Sequence, residues 1–146
     1  MDTNVIVAAL LSGSGASRAV LRLCLRRQCQ PIMGEKLLPE FCDVFRRPLM
    51  ERSPLPLKER EELVEAFFSV CDWVPVFFLW RPNLPDEGDN HLIELGVAGM
   101  AECVVTQNVR DFRGGELRFP HVRIESPAEF LKRWRTNYGD DDNSNS

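Results

Sequence analysis

Five carboxylates stand where they could do chemistry: Asp2, Glu40, Asp86, Asp89 and Asp111. Asp2 heads an apolar run, Asp2-Thr3-Asn4-Val5, and Asp111 follows the apolar Val104-Val105-Thr106. Glu40 falls early in a helix-like segment, and Asp86 and Asp89 come just ahead of Leu92-Ile93. Taken singly, most have a structural reading. Asp86 and Asp89 can cap a helix, where an aspartate accepts orphan N–H groups and meets the positive end of the dipole. Glu40 reads as a solvated helix residue and Asp111 as a turn residue. Asp2 is harder to set aside, because ligands of α/β sheets gather at the strand ends and an acid heading an apolar strand is rarely idle there.

The elements that must position these acids alternate along the chain. The run at 3–11 predicts a strand, and a turn at 12–15 precedes a helix capped by Ser17 and running to about Arg27. A short strand is expected at 31–33 and a helix at 35–46, with Pro39 in its first turn and Pro48 just beyond its end. After a Pro-rich connection at 48–56, Leu63, Ala66, Phe67 and Val70 set helical spacing over 58–71. A strand at 73–79, a loop at 82–88, a helix at 89–100 and a buried strand at 102–106 follow. After a loop with a Gly114-Gly115 turn comes a last strand at 122–125. Ser126-Pro127-Ala128-Glu129 is a capping box that opens a helix to about Trp134. Strands alternating with helices imply a parallel sheet covered on both faces.

In this order the acids resemble the PIN domain family. Asp2-Thr-Asn-Val5 is similar to its opening signature. Leu37-Leu-Pro-Glu-Phe-Cys-Asp-Val-Phe-Arg-Arg-Pro48 resembles the segment carrying the second acid, Leu84-Pro-Asp-Glu-Gly-Asp-Asn-His-Leu-Ile93 the third, and Val104-Val-Thr-Gln-Asn-Val-Arg-Asp-Phe112 the fourth. Ser126-Pro-Ala-Glu-Phe-Leu131 looks like the final strand-to-helix junction, so the resemblance covers residues 2 to about 134. Two departures stand out. Many members end the penultimate motif Thr-Gly-Asp, whereas this chain has Thr106-Gln107-Asn108 with the acid three residues on, a sub-pattern of the VapC-like branch. Members also carry several apolar residues ahead of the first Asp, so the middle strand is expected to be short.

The resemblance implies a three-layer α/β/α fold with a central parallel sheet, and a domain over 1–136 followed by a disordered acidic tail over 137–146. It implies that Asp2, Glu40, Asp89 and Asp111 meet at one end of the sheet as catalytic groups and ligands of one or two Mg²⁺ or Mn²⁺ ions, with Asn4, Asp86, Thr106 and Asn108 in support. Hard oxygen donors suit those ions. Without a cation, clustered carboxylates repel and some should take up protons. The implied activity is a metal-dependent endoribonuclease acting on single-stranded RNA, the toxin of a toxin–antitoxin pair. The implied partners are RNA, a cognate antitoxin protein and a second copy of the chain. The alternative is a PIN fold that has lost catalysis and only binds RNA or protein. A haloacid-dehalogenase type of phosphatase needs Asp-x-Asp, and Asp2 is followed by Thr3-Asn4.

Composition is consistent with this reading. The 146 residues suit one domain, and 44% hydrophobic with 27% charged is a soluble globular balance. Neither a membrane span nor a secretory signal is apparent, so the expected location is the cytoplasm. The net charge is −4, and −1 without Asp140, Asp141 and Asp142 of the tail. Fifteen arginines against three lysines favour planar contacts to phosphate. Arg18, Arg22 and Arg26 form one stripe on the first helix: either a solvated face or a phosphate track, which Arg46, Arg47, Arg110 and Arg113 would extend. The five cysteines lack any C-x-x-C pair and read as buried reduced thiols. His91 and His121 lack partners at zinc-ligand spacing. Trp73, Trp80 and Trp134 read as packing residues. Gly13 and Gly15 lack the Lys-Ser/Thr of a phosphate-binding loop.

Overall fold

The apolar run after Asp2 winds into a helix rather than the predicted strand. In the computed structural model, which describes residues 1–12, 15–75, 87–112 and 122–143 (backbone alone at 87–90 and 139–143), α1 spans Thr3–Leu11. Its buried residues Thr3, Val5, Ile6, Ala9 and Leu10 recur at the steps a helix requires. A short apolar run does not reveal its period, because from Val5 to Leu11 every position is apolar; Ala8, Ala9, Leu10 and Leu11 then favour the helix. Gly15, at φ +102°, makes the turn into α2, Ala16–Leu25, a conformation strained for any residue with a Cβ.

The remaining helices match the sequence reading with shifted ends. They are α3, Leu38–Phe45; α4, Leu57–Val70; α5, Glu87–Ala98; and α6, Pro127–Asn143. The Pro-rich connection holds a 3₁₀ turn, Pro48–Arg52. The capping box of α6 forms as expected: Ser126 N–H donates to Glu129 Oε1 at 3.0 Å and Glu129 N–H to Ser126 Oγ at 3.1 Å. This helix runs well past its expected end at Trp134.

The strands are short and parallel. β1, Ile32–Met33, pairs with β2, Asp72–Trp73, while β3, Cys103–Val105, pairs with β4, Arg123–Glu125. Among the described residues the two pairs are separate sheets. The α/β alternation and the parallel pairing therefore appear, but a single continuous central sheet does not. The expected strand at 73–79 keeps only its start in β2, and residues 76–79 lie outside the described ones, as do Trp80, Arg113, Gly13, His121 and the Gly114-Gly115 turn.

Two apolar clusters hold the fold. One contains Ile6, Leu10, Leu21, Phe41, Phe67 and Phe112, and the other Val5, Val20, Leu23, Val105, Phe130 and Trp134. Helix α1 supplies both, through Ile6 and Leu10 on one side and Val5 on the other. Phe41 stacks on Phe67 with centroids 6.4 Å apart and meets Phe68 edge-on. Burying each such ring contributes about 1.5–3 kcal/mol. Arg133 of α6 clasps Glu125 of β4 with Nε at 3.0 Å and Nη2 at 2.8 Å from Oε1, tying the last strand to the last helix. Trp134 is buried, whereas Trp73 is partly exposed against the edge of Phe68. All five cysteines are free thiols. No single helix among the described residues is long and apolar enough to cross a membrane.

Candidate functional site

Thr106 ends β3 with its side chain fully buried, and its hydroxyl is the hub of the site. It donates to Asp2 Oδ2 at 2.7 Å and accepts from the Asn108 N–H at 3.2 Å and from Asn4 Nδ2 at 3.5 Å. That is the full capacity of one hydroxyl. Asp2 is held a second time through its backbone, its N–H donating to Val105 O at 2.8 Å. It occupies the N-cap position of α1, yet its carboxylate makes no bond to its own helix. The strand reading of 3–11 was wrong, but the acid still arrives at the carboxyl end of a strand: that strand is β3.

The network extends into both opening helices. Asn4 Oδ1 accepts the Gln107 N–H at 3.1 Å, and Gln107 Nε2 donates to the buried Ser17 Oγ at 2.6 Å. Asp111 N–H donates to Asn108 O at 3.0 Å, opening a 3₁₀ turn, Val109–Phe112, that Phe112 anchors in the core. This turn leaves Asp111 exposed.

The other acids come from neighbouring elements. Glu40 is half-buried in the first turn of α3, which packs against α1. Asp89 lies on α5, where only its backbone is described, and Asp86 lies outside the described residues. Among the described residues no three His, Cys, Asp or Glu side chains are grouped to hold a metal ion. The geometry therefore joins Asp2, Asn4, Thr106 and Asn108 in one bonded unit with Asp111 on the adjoining turn. Glu40 stands on the next helix.

Glu94 was missed by sequence reasoning. It is 2% exposed on α5, and its Oε2 makes no hydrogen bond. Lys36 Nζ, just past β1, lies 3.8 Å away. A buried carboxylate so weakly matched is costly and calls for a cation nearby. The signal was available as a lone acid inside the apolar Leu92-Ile93-Glu94-Leu95. The donors around Asp2 are hard carboxylate and amide oxygens, a set that suits Mg²⁺ or Mn²⁺.

Three of the thiols are poor candidates for chemistry. Burial pushes Cys24 and Cys71 up to about 12 and Cys103 to about 11, far from a reactive thiolate. His91 is half-buried on α5.

The arginine stripe divides. Arg18 donates to Ala9 O at 3.1 Å. Together with Arg22 it lines a groove of about 780 Å³ between α2 and α6, whose other cations are Lys132 and Arg135. Arg26 is exposed at the C-cap of α2 and is not part of that lining. Arg47 pairs with Asp43 at 3.2 Å, and Arg46 and Arg110 are exposed.

A family model described as PIN domain matches residues 1–110, about three quarters of the chain. No curated protein matches the chain, and no solved structure matches it.

Proposed function

We propose, from the premise that this chain belongs to the PIN domain family, that it is a divalent-metal-dependent endoribonuclease acting on single-stranded RNA. PIN domains are generally nucleases, which makes phosphodiester hydrolysis the coarse reading. The finer reading rests chiefly on one observation: Asp2 is fixed to the carboxyl end of β3 by both its N–H and its carboxylate. In fold terms, the same reading takes the two strand pairs as halves of one sheet in a three-layer fold.

Asp2, Glu40, Asp89 and Asp111 would hold the ion. When bound, it neutralises charge at the scissile phosphate and makes an attacking water more acidic. The chain's own groups prepare that event. Thr106 fixes the Asp2 carboxylate by a donated hydrogen bond, and Asn4 steadies Thr106 and Gln107. Asn108 supports through its N–H bond to Thr106, and Asp86, outside the described residues, would add a further carboxylate. Arg18 and Arg22, joined by Lys132 and Arg135, offer cations to the RNA backbone, with Arg26 at the outer end of the stripe.

We read the biological role as the toxin of a toxin–antitoxin pair, cytoplasmic, dimeric and restrained by an antitoxin protein. The exposed Leu49 and Leu57, beside α3 and α4, support a protein partner there. The reading is tested by incubating single-stranded RNA with the chain and Mn²⁺. Cleavage should occur, stop with EDTA and be absent in Asp2→Asn. Cleavage that persists in chelator removes the proposal. Asn108, standing where many members carry an acid, favours a second reading, a binding module without catalysis. Calorimetric titration with Mn²⁺ separates the two: a binding module takes up no ion.

A further inference from the structure

Glu94 is a buried charge that the acid site does not use. Helix α5 is packed nearly all round where it stands: Leu92, Ile93, Glu94 and Leu95 are consecutive, and each is at most 3% exposed. Four successive residues sweep about 300° of a helix, so no solvated face is left there to receive a carboxylate.

One cation reaches it. Gly34 follows β1, and a Cβ there would meet Leu95 Cδ1 at 3.0 Å and Val74 O at 3.4 Å, so α5 and the end of β2 close on the bare backbone. Leu37 N–H donates to Gly34 O at 3.2 Å, making a turn over 34–37 with Lys36 as its third residue. From that turn Lys36 Nζ comes to 3.8 Å from Glu94 Oε2, while the lysine side chain stays 43% exposed. That oxygen makes no hydrogen bond. The ammonium is therefore attracted by Glu94 without being consumed, and its donors remain for a second anion. Arg133 shows the contrast: its fork closes on Glu125 through Nε and Nη2 and is spent on the fold.

The 34–37 turn lies at the end of the molecule that holds the acids. Leu95 meets Gly34 and, four residues on, Gly99 meets Ile32, so α5 runs antiparallel to β1. The turn after α5, closed by Ala101 N–H on Gly96 O at 2.9 Å, sends β3 back along the helix with Val104 against Gly96. Both strands thus end toward the N-terminus of α5, β1 at the Lys36 turn and β3 at the Asp2–Thr106 unit. Glu40 comes four residues after Lys36, and Asp89 five residues before Glu94. Ligands of parallel sheets gather at this end. A phosphate arriving among so many carboxylates is repelled, and a compact ammonium with rotatable donors offsets that repulsion.

We propose that Lys36 contacts a phosphate of RNA entering the acid site, and that Glu94 is the positioning residue that holds its ammonium there from beneath. The inference rests on the nuclease reading and adds to it a cation outside the groove between α2 and α6.

The test measures binding of a single-stranded RNA to the full chain in EDTA over a range of salt, with thermal midpoints alongside. Lys36→Gln should weaken binding by up to about fivefold, the worth of a half-exposed ion pair, and lower the salt slope by about 0.7. Lys36→Arg should keep the slope. Lys58→Gln, which removes an exposed lysine on α4, should leave binding unchanged. Glu94→Gln should also weaken binding although it removes a negative charge, whereas simple repulsion predicts tighter binding. Lys36→Gln strands the buried Glu94 and should lower the thermal midpoint. Adding Glu94→Gln should restore the midpoint yet leave binding as weak as in Lys36→Gln alone; a merely structural pair would recover both. An unchanged slope in Lys36→Gln, unchanged or tighter binding in Glu94→Gln, or an equal loss in Lys58→Gln overturns the proposal. Cleavage whose KM is indifferent to Lys36→Gln overturns it while the nuclease reading stands. RNA that is bound with this lysine dependence but never cut supports it and removes that reading.

Discussion

The Thr106 hydroxyl serves three partners from a fully buried position, so its loss reaches further than one hydrogen bond. Thr106→Val keeps the shape and removes the donor to Asp2. Stability should fall by about 1–3 kcal/mol, because polar groups packed around the hydroxyl lose their partner. RNA cleavage should fall with it, and Thr106→Ser should restore both; a Thr106→Val variant that cuts normally would detach Thr106 from the site. A second comparison concerns Asp111 and Asn108, which share the 3₁₀ turn. A divalent ion gains more from a carboxylate than from a neutral amide. Asp111→Asn should abolish cleavage and weaken Mn²⁺ binding by about 10- to 100-fold, whereas Asn108→Ala should cost less. The reverse order of effects would make position 108 the ligand. At this scale the sequence was informative where residue type and order suffice: Asp2, Asn4, Thr106 and Asn108 do come together. It did not reveal Glu94, because what distinguishes that acid is burial with one carboxylate oxygen lacking a hydrogen bond, a property of packing and not of spacing.

Elements were legible in proportion to how clearly their pattern displays a period. Helix α4 carries charged and apolar residues in alternation around its axis, and its ends fell within a residue or so of expectation. The capping box fixed the start of α6 because its chemistry is local. Ser126→Ala should lower stability by about 1 kcal/mol, within the 0.5–2 typical of a lost cap. The drop would be read as a lower thermal midpoint with RNA cleavage per folded molecule unchanged. A silent substitution would mean that Pro127 and the Arg133–Glu125 clasp hold the helix start unaided. Helix α1 was misread for the opposite reason: with almost no polar residue in the run, neither the two-residue nor the 3.6-residue period is visible. Tertiary context decides, since α1 packs against α2 and α3 and buries residues toward both clusters.

Over the whole molecule, charge is segregated in a way that the net value of −4 conceals. Two helices remote in sequence bring Arg18, Arg22, Lys132 and Arg135 to one groove, a pairing that a stripe on a single helix could not disclose. Arg22→Gln with Arg135→Gln should weaken RNA binding, measured in EDTA, and reduce its salt slope by about 0.7 per lost phosphate contact. Arg26→Gln should do less, and an equal loss would restore the single-helix track.

Stability toward alkali is set by the interior. Cys24 and Cys71 lie in the first cluster, and Cys103 packs against the second. Burial raises these thiols from 9.0 to about 12, 12 and 11. Below pH 9 they are protonated in both the folded and the unfolded chain and contribute no slope. Above it the unfolded chain releases their protons while the folded chain keeps them, so the folded state binds more protons and stability falls as pH rises. The loss should begin near pH 9 and continue toward the folded values of about 11 to 12. Urea midpoints between pH 8 and pH 11 should show this decline, and changing all three cysteines to alanine should flatten it while lowering the pH 8 midpoint through lost packing. A slope that survives in the triple variant would assign the alkaline loss to other groups.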